Sequence, residues 1–290
     1  MTDPIRPRRS ALFLPASNPK ALAKARELLA DVVILDLEDA VAPEHKDSAR
    51  AAAVAAVHEG GFGRRELVVR SNGMTTPWGA DDLAALAAAG PDAVLVPKVS
   101  SAQEVRAYDA ALAGAPPHTR LWIMIETCAC VPVLHEIAAC GADTRLAGFV
   151  LGTNDLSKEM HARLTPARTP FLPILTMAVI AARAHGLIVL DGVCNEFRDL
   201  EIVRAEAEQG LDFGFDGKSL IHPDQIGPVN AVFSPSADQI SWAKAVVAAF
   251  ALPENVGKGA IRVDGKMAEL LHLDQAQRLL AVAAVISADT

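Results

Sequence analysis

A chain of 290 residues, about half of them hydrophobic and with a net charge of −8, has the material for a large core and lacks the basic balance of a nucleic-acid binder. Its longest basic run, RPRR at Arg6–Arg9, is too short for a nucleic-acid arm. No apolar stretch approaches the ~18 to 20 residues of a membrane span, and the polar start MTDPIRPRRS is not followed by a signal-peptide core, so a cytoplasmic protein with no membrane partner is expected.

Along the chain, short β-rich runs alternate with Ala/Leu/Glu/Arg segments of helical pattern. The predicted strands are ALFLP (Ala11–Pro15), VVILD (Val32–Asp36), LVVRS (Leu67–Ser71), AVLVPK (Ala93–Lys98), LWIMIE (Leu121–Glu126), AGFVLG (Ala147–Gly152), LIVLD (Leu187–Asp191) and FGFDG (Phe213–Gly217). Each is a near-continuous apolar run rather than an alternation, the pattern of strands buried on both faces under helices. Between them, NPKALAKARELLA opens with Asn18 as N-cap and Pro19 at the first helical position. SSAQEVRAYDAALAG opens on serines and closes on Gly114. Eight βα units predict an α/β chain whose residues 1–233 form a (β/α)8 TIM barrel; a doubly wound sheet would rarely use eight such regular units. Residues 234–290 read as a helix, the Gly-rich polar piece LPENVGKGAIRVDG and a second helix, a C-terminal helical extension that serves as arm or lid. The four cysteines include a C-x-C at Cys128 and Cys130 but no zinc spacing, so buried reduced thiols are expected.

In such a barrel, function gathers where strands end. The second predicted strand runs into Asp36, Glu38 and Asp39, the third into Arg70 and Asn72, the fourth into Lys98, and the fifth into Glu126 and Thr127. The sixth runs into Asn154 and Asp155, the seventh ends in Asp191, and the eighth carries Asp216 and Lys218, with His222 a turn later. A purely structural barrel would gain nothing from gathering such groups on one rim and would bear their desolvation cost, so an enzyme is expected. Glu126 and Asp155, on neighbouring strands, suit Mg2+, which takes one or two protein carboxylates and fills its octahedron with water and substrate oxygens. The plain alternative makes Glu126 a helix cap and Asp155 an Asx turn. Arg70 offers a fork for a substrate carboxylate or a salt bridge to the acids of the second strand. The two are compatible, with Asp36, Glu38 and Asp39 as outer groups orienting Arg70 and the metal's water. Lys98 and Lys218 are expected to pair with acids rather than touch ligand, and His222 to cap a helix rather than act as a base.

RRSALFLPASNP, LDLEDAVAPEHKDSAR, VRSNG, VPKV, IET, GTNDLS, GFDGKSLIHPDQI and VDGKM follow in that order along nearly the whole chain. In these blocks the sequence resembles the citrate lyase beta-subunit-like (CitE-like) group of the HpcH/HpaI aldolase superfamily; LDLEDAV and GFDGKSLIHPDQI are the specific ones. The resemblance implies a barrel enzyme that, with Mg2+, cleaves or forms carbon–carbon bonds in 3-hydroxyacyl-CoA thioesters of citryl, malyl or citramalyl type. It would release acetyl-CoA or a related acyl-CoA and a 2-keto acid. It further implies Mg2+ on Glu126 and Asp155, substrate on Arg70 and Glu126, and CoA near Arg9 and Ser10. Asp264 of VDGKM would come from the neighbouring subunit of a homotrimer or hexamer, as the acid that protonates the enolate carbon. Two alternatives stay open. One is a CoA-independent, Mg2+-dependent pyruvate or oxaloacetate aldolase, against which RRSALFLP argues. The other is a beta subunit active only in a citrate lyase complex with acyl-carrier and transferase partners. TCACVPVLHEIAACG lacks the small residues and glycine usual after the family's Glu-Thr, and NEFRD departs slightly from its aromatic-Asn-Asp form. The acyl group is therefore open, as is hydrolysis of the thioester after cleavage.

Overall fold

The computed structural model describes residues 6–288; the first five residues of the expected 1–233 domain and the last two of the expected 234–290 extension lie outside them. Eight parallel strands close into a barrel in chain order: β1 (Ser10–Pro15), β2 (Val32–Asp36), β3 (Glu66–Arg70), β4 (Ala93–Val96), β5 (Arg120–Ile125), β6 (Leu146–Leu151), β7 (Ile188–Asp191) and β8 (Gly217–Leu220). β8 pairs back onto β1, which leaves no open edge. The connecting helices are α1 (Pro19–Ala25), α2 (Lys46–Glu59), α3 (Gly79–Ala89), α4 (Ala102–Ala111), α5 (Leu134–Ala139), α6 (Thr153–Glu159), α7 (Leu172–Ala184) and α8 (Leu200–Phe213), followed by α9 (Ile226–Val232).

Side chains written into the sequence start these helices. Asn18 Oδ1 accepts from the N–H groups of Lys20 and Ala21 at the head of α1, and Ser101 Oγ from that of Glu104 in α4. His222 caps the short 3-10 turn Pro223–Gln225, where its Nδ1 accepts from the Asp224 N–H. Alternate residues of the strands fill the barrel interior, among them Ile34, Val68, Leu95, Trp122 and Met124. The N-terminal end is closed by Arg8, which is ion-paired to Glu66 and lies 5.8 Å from the Trp122 ring centroid.

The eighth strand corrects the expectation of Phe213–Gly217. Phe213 ends α8, Gly214 turns the chain at φ 94°, and β8 is the short, polar GKSL. Its Lys218 and Ser219 are fully buried, so a search for apolar runs passes it by. Gly217 is required there, because a Cβ would fall 1.9 Å from the Arg8 carbonyl oxygen. Asp216 therefore precedes β8 and pairs with Arg183, away from the rim where the sequence placed it.

The chain divides into two compact units, one spanning Arg8–Ala231 and the other taking up the chain from Val232. In the second, α10 (Ala237–Phe250) and α11 (Leu270–Ser287) flank an antiparallel hairpin of β9 (Ala260–Val263) and β10 (Lys266–Glu269). The sequence had given this stretch only as a polar flap. Asp264 and Gly265 form its turn at φ 47° and 80°, the double positive φ of a type I′ hairpin. Ala243, Val246, Ile261, Val263, Ala268 and Ala276 make this unit's own core. No helix among the described residues is long and apolar enough to cross a membrane.

Candidate active site

β2 and β3 run parallel with Asp36 opposite Arg70, so the last residue of each meets the other at the rim. Asp36 grips Arg70 with both oxygens, from Nε at 2.7 Å and Nη2 at 2.6 Å. Glu38 Oε2 lies 2.8 Å from Nη1, and Asp39 Oδ2 3.7 Å. Phe13 at the end of β1 covers one face of the guanidinium, 4.9 Å from ring centroid to Cζ. Two of the five N–H donors of Arg70 are hydrogen-bonded to Asp36, while Glu38 stands beside Nη1 as an ion pair without a hydrogen bond, which leaves the Nη1 donors to meet a ligand. Burial alone would lower the pKa of Arg70; Asp36, Glu38 and Asp39 outweigh it and hold the cation fixed. The opposite happens to Glu38. Burial pushes its carboxyl up to about 7 against the pull of Arg70, with Asp39 and Glu126 adding to the rise.

Behind this cluster, the buried Lys46 ammonium donates to the carbonyls of Leu37 and Glu38 and to Asn72 Oδ1. Asp82 in turn accepts from the Asn72 backbone and side chain and from Arg50. The loop after β2 is therefore tied down from behind, and the acids of LDLEDAV keep their direction. Sequence reasoning did not find Lys46 or Asp82; a lysine and an aspartate inside helical segments carry no local sign that they turn inward.

Glu126, just past β5, and Asp155, in the first turn of α6, face one another across the loop after β4. Glu126 is buried, and its Oε1 accepts from the Lys98 N–H at 2.8 Å. Its Oε2 is buried with no hydrogen-bond partner at all. The Lys98 ammonium stands between the two carboxylates, hydrogen-bonded to Asp155 Oδ1 and 3.6 Å from Glu126 Oε1. Burial raises the pKa of Glu126, with Lys98 opposing. Gly152 makes the room: a Cβ there would fall 2.4 Å from Glu126 Cβ and 2.6 Å from Oε2. An orphaned, buried carboxylate oxygen beside a second carboxylate, with a cation already drawn between them, fits a divalent ion. Among the described residues no three His, Cys, Asp or Glu side chains are grouped so that they could hold a metal ion, so an ion at Glu126 and Asp155 would take its other ligands from water and substrate.

One cleft of 360 Å³ joins these parts: Arg70, Asp36 and Asp39 on one side, Glu126, Asn154 and Asp155 on the other, with Phe13, Met124, Leu151, Val193 and Ile221 as apolar lining. Charged groups that converge in a mostly apolar cleft can bind a small acid and stabilise charge that develops on it.

Other expected site residues lie elsewhere. Arg9 and Ser10 stand at the N-terminal end of β1, buried, with Arg9 held bidentate by Asp31 and Ser10 Oγ accepting from the Asp31 N–H. Five residues of extended strand, about 16 Å, separate Ser10 from the rim residue Pro15. The far end of the same strand, Phe13–Pro15, lines the cleft, so Arg9 and Ser10 lie outside its lining. Asp191 is turned away as well. It is fully buried against Arg168, Lys218 and the Gly192 N–H. Asp264 stands exposed at the tip of the hairpin in the second unit.

Residues 9–223 match the family model of the HpcH/HpaI aldolase/citrate lyase family, and the chain belongs to that family. It is 47% identical over 288 residues to a (3S)-malyl-CoA thioesterase of Cereibacter sphaeroides, with 99% of each chain covered. An L-malyl-CoA/beta-methylmalyl-CoA lyase of the same species is 34% identical over 311 residues, covering 98% of this chain and 97% of the lyase. Among solved structures, CitE of Mycobacterium tuberculosis, in complex with magnesium, acetoacetate and coenzyme A, is 32% identical with a TM-score of 0.78, covering 97% of this chain and all of the other.

Proposed function

We propose that this chain is a Mg2+-dependent carbon–carbon lyase acting on a malyl-CoA-type 3-hydroxyacyl-CoA thioester, releasing a 2-keto acid and acetyl-CoA or a related acyl-CoA. The observation that carries it is the orphaned Oε2 of Glu126, set beside Asp155 and across one cleft from the Arg70 guanidinium, whose Nη1 makes no hydrogen bond. Glu126 and Asp155 hold the metal. When bound, Mg2+ supplies a Lewis acid that stabilises the negative charge left as the substrate hydroxyl loses its proton. Arg70, locked by Asp36 and Glu38, grips the carboxylate that becomes part of the keto acid and so aligns the bond to be broken. Phe13, Met124, Leu151 and Ile221 keep water from the enolate. Asp264, brought by a neighbouring subunit of a trimer or hexamer, protonates the enolate carbon. The exposed Met267, Leu270 and Leu271 next to that hairpin turn support a partner covering it. Free thiols at all four cysteines agree with a cytoplasmic site of action.

A second reading, hydrolysis of the same thioester to the free hydroxy acid and CoA, is favoured by one observation: the relative at 47% identity is a thioesterase, and the lyase stands at 34%. Both readings use a CoA ester, which sets the CoA-independent aldolase aside. Purified chain, without acyl-carrier or transferase partners, is incubated with malyl-CoA and Mg2+ while keto acid and free thiol are followed together. Keto acid without thiol marks the lyase; thiol without keto acid marks the hydrolase. Neither product, or unchanged rates in excess EDTA, overturns the metal reading. Mixing Glu126→Ala chains with Asp264→Ala chains should restore part of the activity that each lacks; no recovery would place Asp264 outside the shared site.

A further inference from the structure

Lys98 has a left-handed backbone, φ 55°, which side chains other than glycine rarely adopt. That turn, just past β4, aims two separate donors of one residue at the same pair of acids. The backbone N–H donates to Glu126 Oε1 at 2.8 Å, and the ammonium donates to Asp155 and reaches to 3.6 Å from Glu126 Oε1. Only the second contact can move without shifting the chain. The two ends differ in access: the Lys98 side chain is 44% exposed and Glu126 1%. Beside the ammonium lies a further cavity of 490 Å³, which shares Glu126 and Asp155 with the cleft described above and is lined on its other side by Thr127, Lys158, Glu159 and His161. Glu159 uses one oxygen, Oε2, to hold the Cys128 N–H at 3.0 Å.

A divalent ion ligated by Glu126 and Asp155 must approach an oxygen of each to about 2 Å, which is the space the ammonium spans. Two cations in contact with the same oxygens repel, and only one can stay. We propose that Lys98 is a built-in competitor for the divalent ion: its ammonium bridges Glu126 and Asp155, and entry of the ion drives it into the adjoining cavity toward Glu159. This rests on the Mg2+ reading given above. It makes Lys98 a positioning residue that holds two like-charged acids in place and sets how tightly the metal binds.

The test is direct metal binding, without turnover. Mn2+ affinity is measured by water-proton relaxation on the full chain as wild type, Lys98→Met and Lys98→Arg. Loss of the competing charge should tighten Mn2+ binding by roughly three- to tenfold in Lys98→Met, and Lys98→Arg should stay near wild type. Without metal, Lys98→Met should melt below wild type, and Mn2+ should raise its Tm by more than it raises that of wild type. Should Lys98→Met fail to fold, Lys98→Gly, which accepts the left-handed backbone, carries the same expectation. Mn2+ binding in the uncharged variant that is no tighter than in wild type overturns the proposal and leaves the metal reading standing. So does an arginine variant that tightens as much as the uncharged one. No Mn2+ binding by any of the chains overturns both.

Discussion

Asp191 at the end of β7 and the Glu126–Asp155 pair beyond β5 and β6 are both acids buried or half-buried among lysines near the barrel's C-terminal end, and they are balanced in opposite ways. Asp191 receives Arg168 Nη1 at 2.7 Å on both oxygens, Lys218 Nζ at 3.1 Å and the Gly192 N–H at 2.8 Å. Lys218 in turn donates to the Gly192 carbonyl and faces Glu206 Oε2 at 3.1 Å. Every polar atom of Asp191 has its partner, and the cluster is shut from solvent. Around Glu126, two carboxylates share one half-exposed ammonium, and one buried oxygen has no partner. The Asp191 carboxylate is satisfied within the chain, although Glu206 Oε2 at the edge of its cluster makes no hydrogen bond; the Glu126 carboxylate keeps an unbonded oxygen in the wall of the cleft. Exposure does not tell the two carboxylates apart, since Glu126 and Asp191 are both buried; their hydrogen-bond partners do.

Removing one member of each cluster breaks the comparison most sharply. Asp191→Ala leaves Arg168 and Lys218 with too little negative charge around them in the interior, and should cost roughly 3–5 kcal/mol of stability, read by urea unfolding. Glu126→Ala should do the reverse. It removes a poorly satisfied buried acid, so stability should change by about 1 kcal/mol or less, while kcat/KM falls roughly a thousandfold. A Glu126→Ala chain that unfolds like Asp191→Ala would erase the distinction. Gly152→Ala tests the geometry of the open cluster. Its new Cβ pushes into the Glu126 side chain, and turnover should fall about tenfold to a hundredfold, with more Mg2+ needed for half-maximal rate.

The smallest effect concerns pH. Glu38 has its carboxyl raised from 4.5 to about 7 by burial. A raised carboxyl binds its proton more tightly in the folded chain, so its contribution to stability is full below pH 4.5 and is lost as pH rises through about 7. Glu38→Gln should therefore flatten the fall in stability across that window. Urea unfolding at several pH values would measure it, and an unchanged slope would remove Glu38 from the balance.

Seven of the eight strands were legible within a residue or two because each is an apolar run buried on both faces. β8 was not, since its Lys218 is made tolerable by Asp191 and Glu206, partners that only the closed barrel supplies. The rim acids and Arg70 were legible from their place at strand ends, and Asp36 opposite Arg70 follows from neighbouring parallel strands. That Arg9 and Ser10 lie at the far end of β1 from the cleft was not legible, because a motif marks a segment of chain without saying which end of the strand reaches the rim. The hairpin around Asp264 had a local signal, Asp-Gly between alternating residues, that its polar surroundings obscured. The backbone of Lys98 had none, because its left-handed turn is held by Glu126 and Asp155 from other strands.

The pairing of Asp36 with Arg70 also bears on how the barrel assembles. Were β3 to slip by one position against β2, Arg70 would point outward into hydrocarbon beneath the helices, with no acid in reach. Such a misaligned ring would be heavily penalised before it closed. The guanidinium proposed to hold an organic acid would thus act earlier as a proofreading mark for strand register.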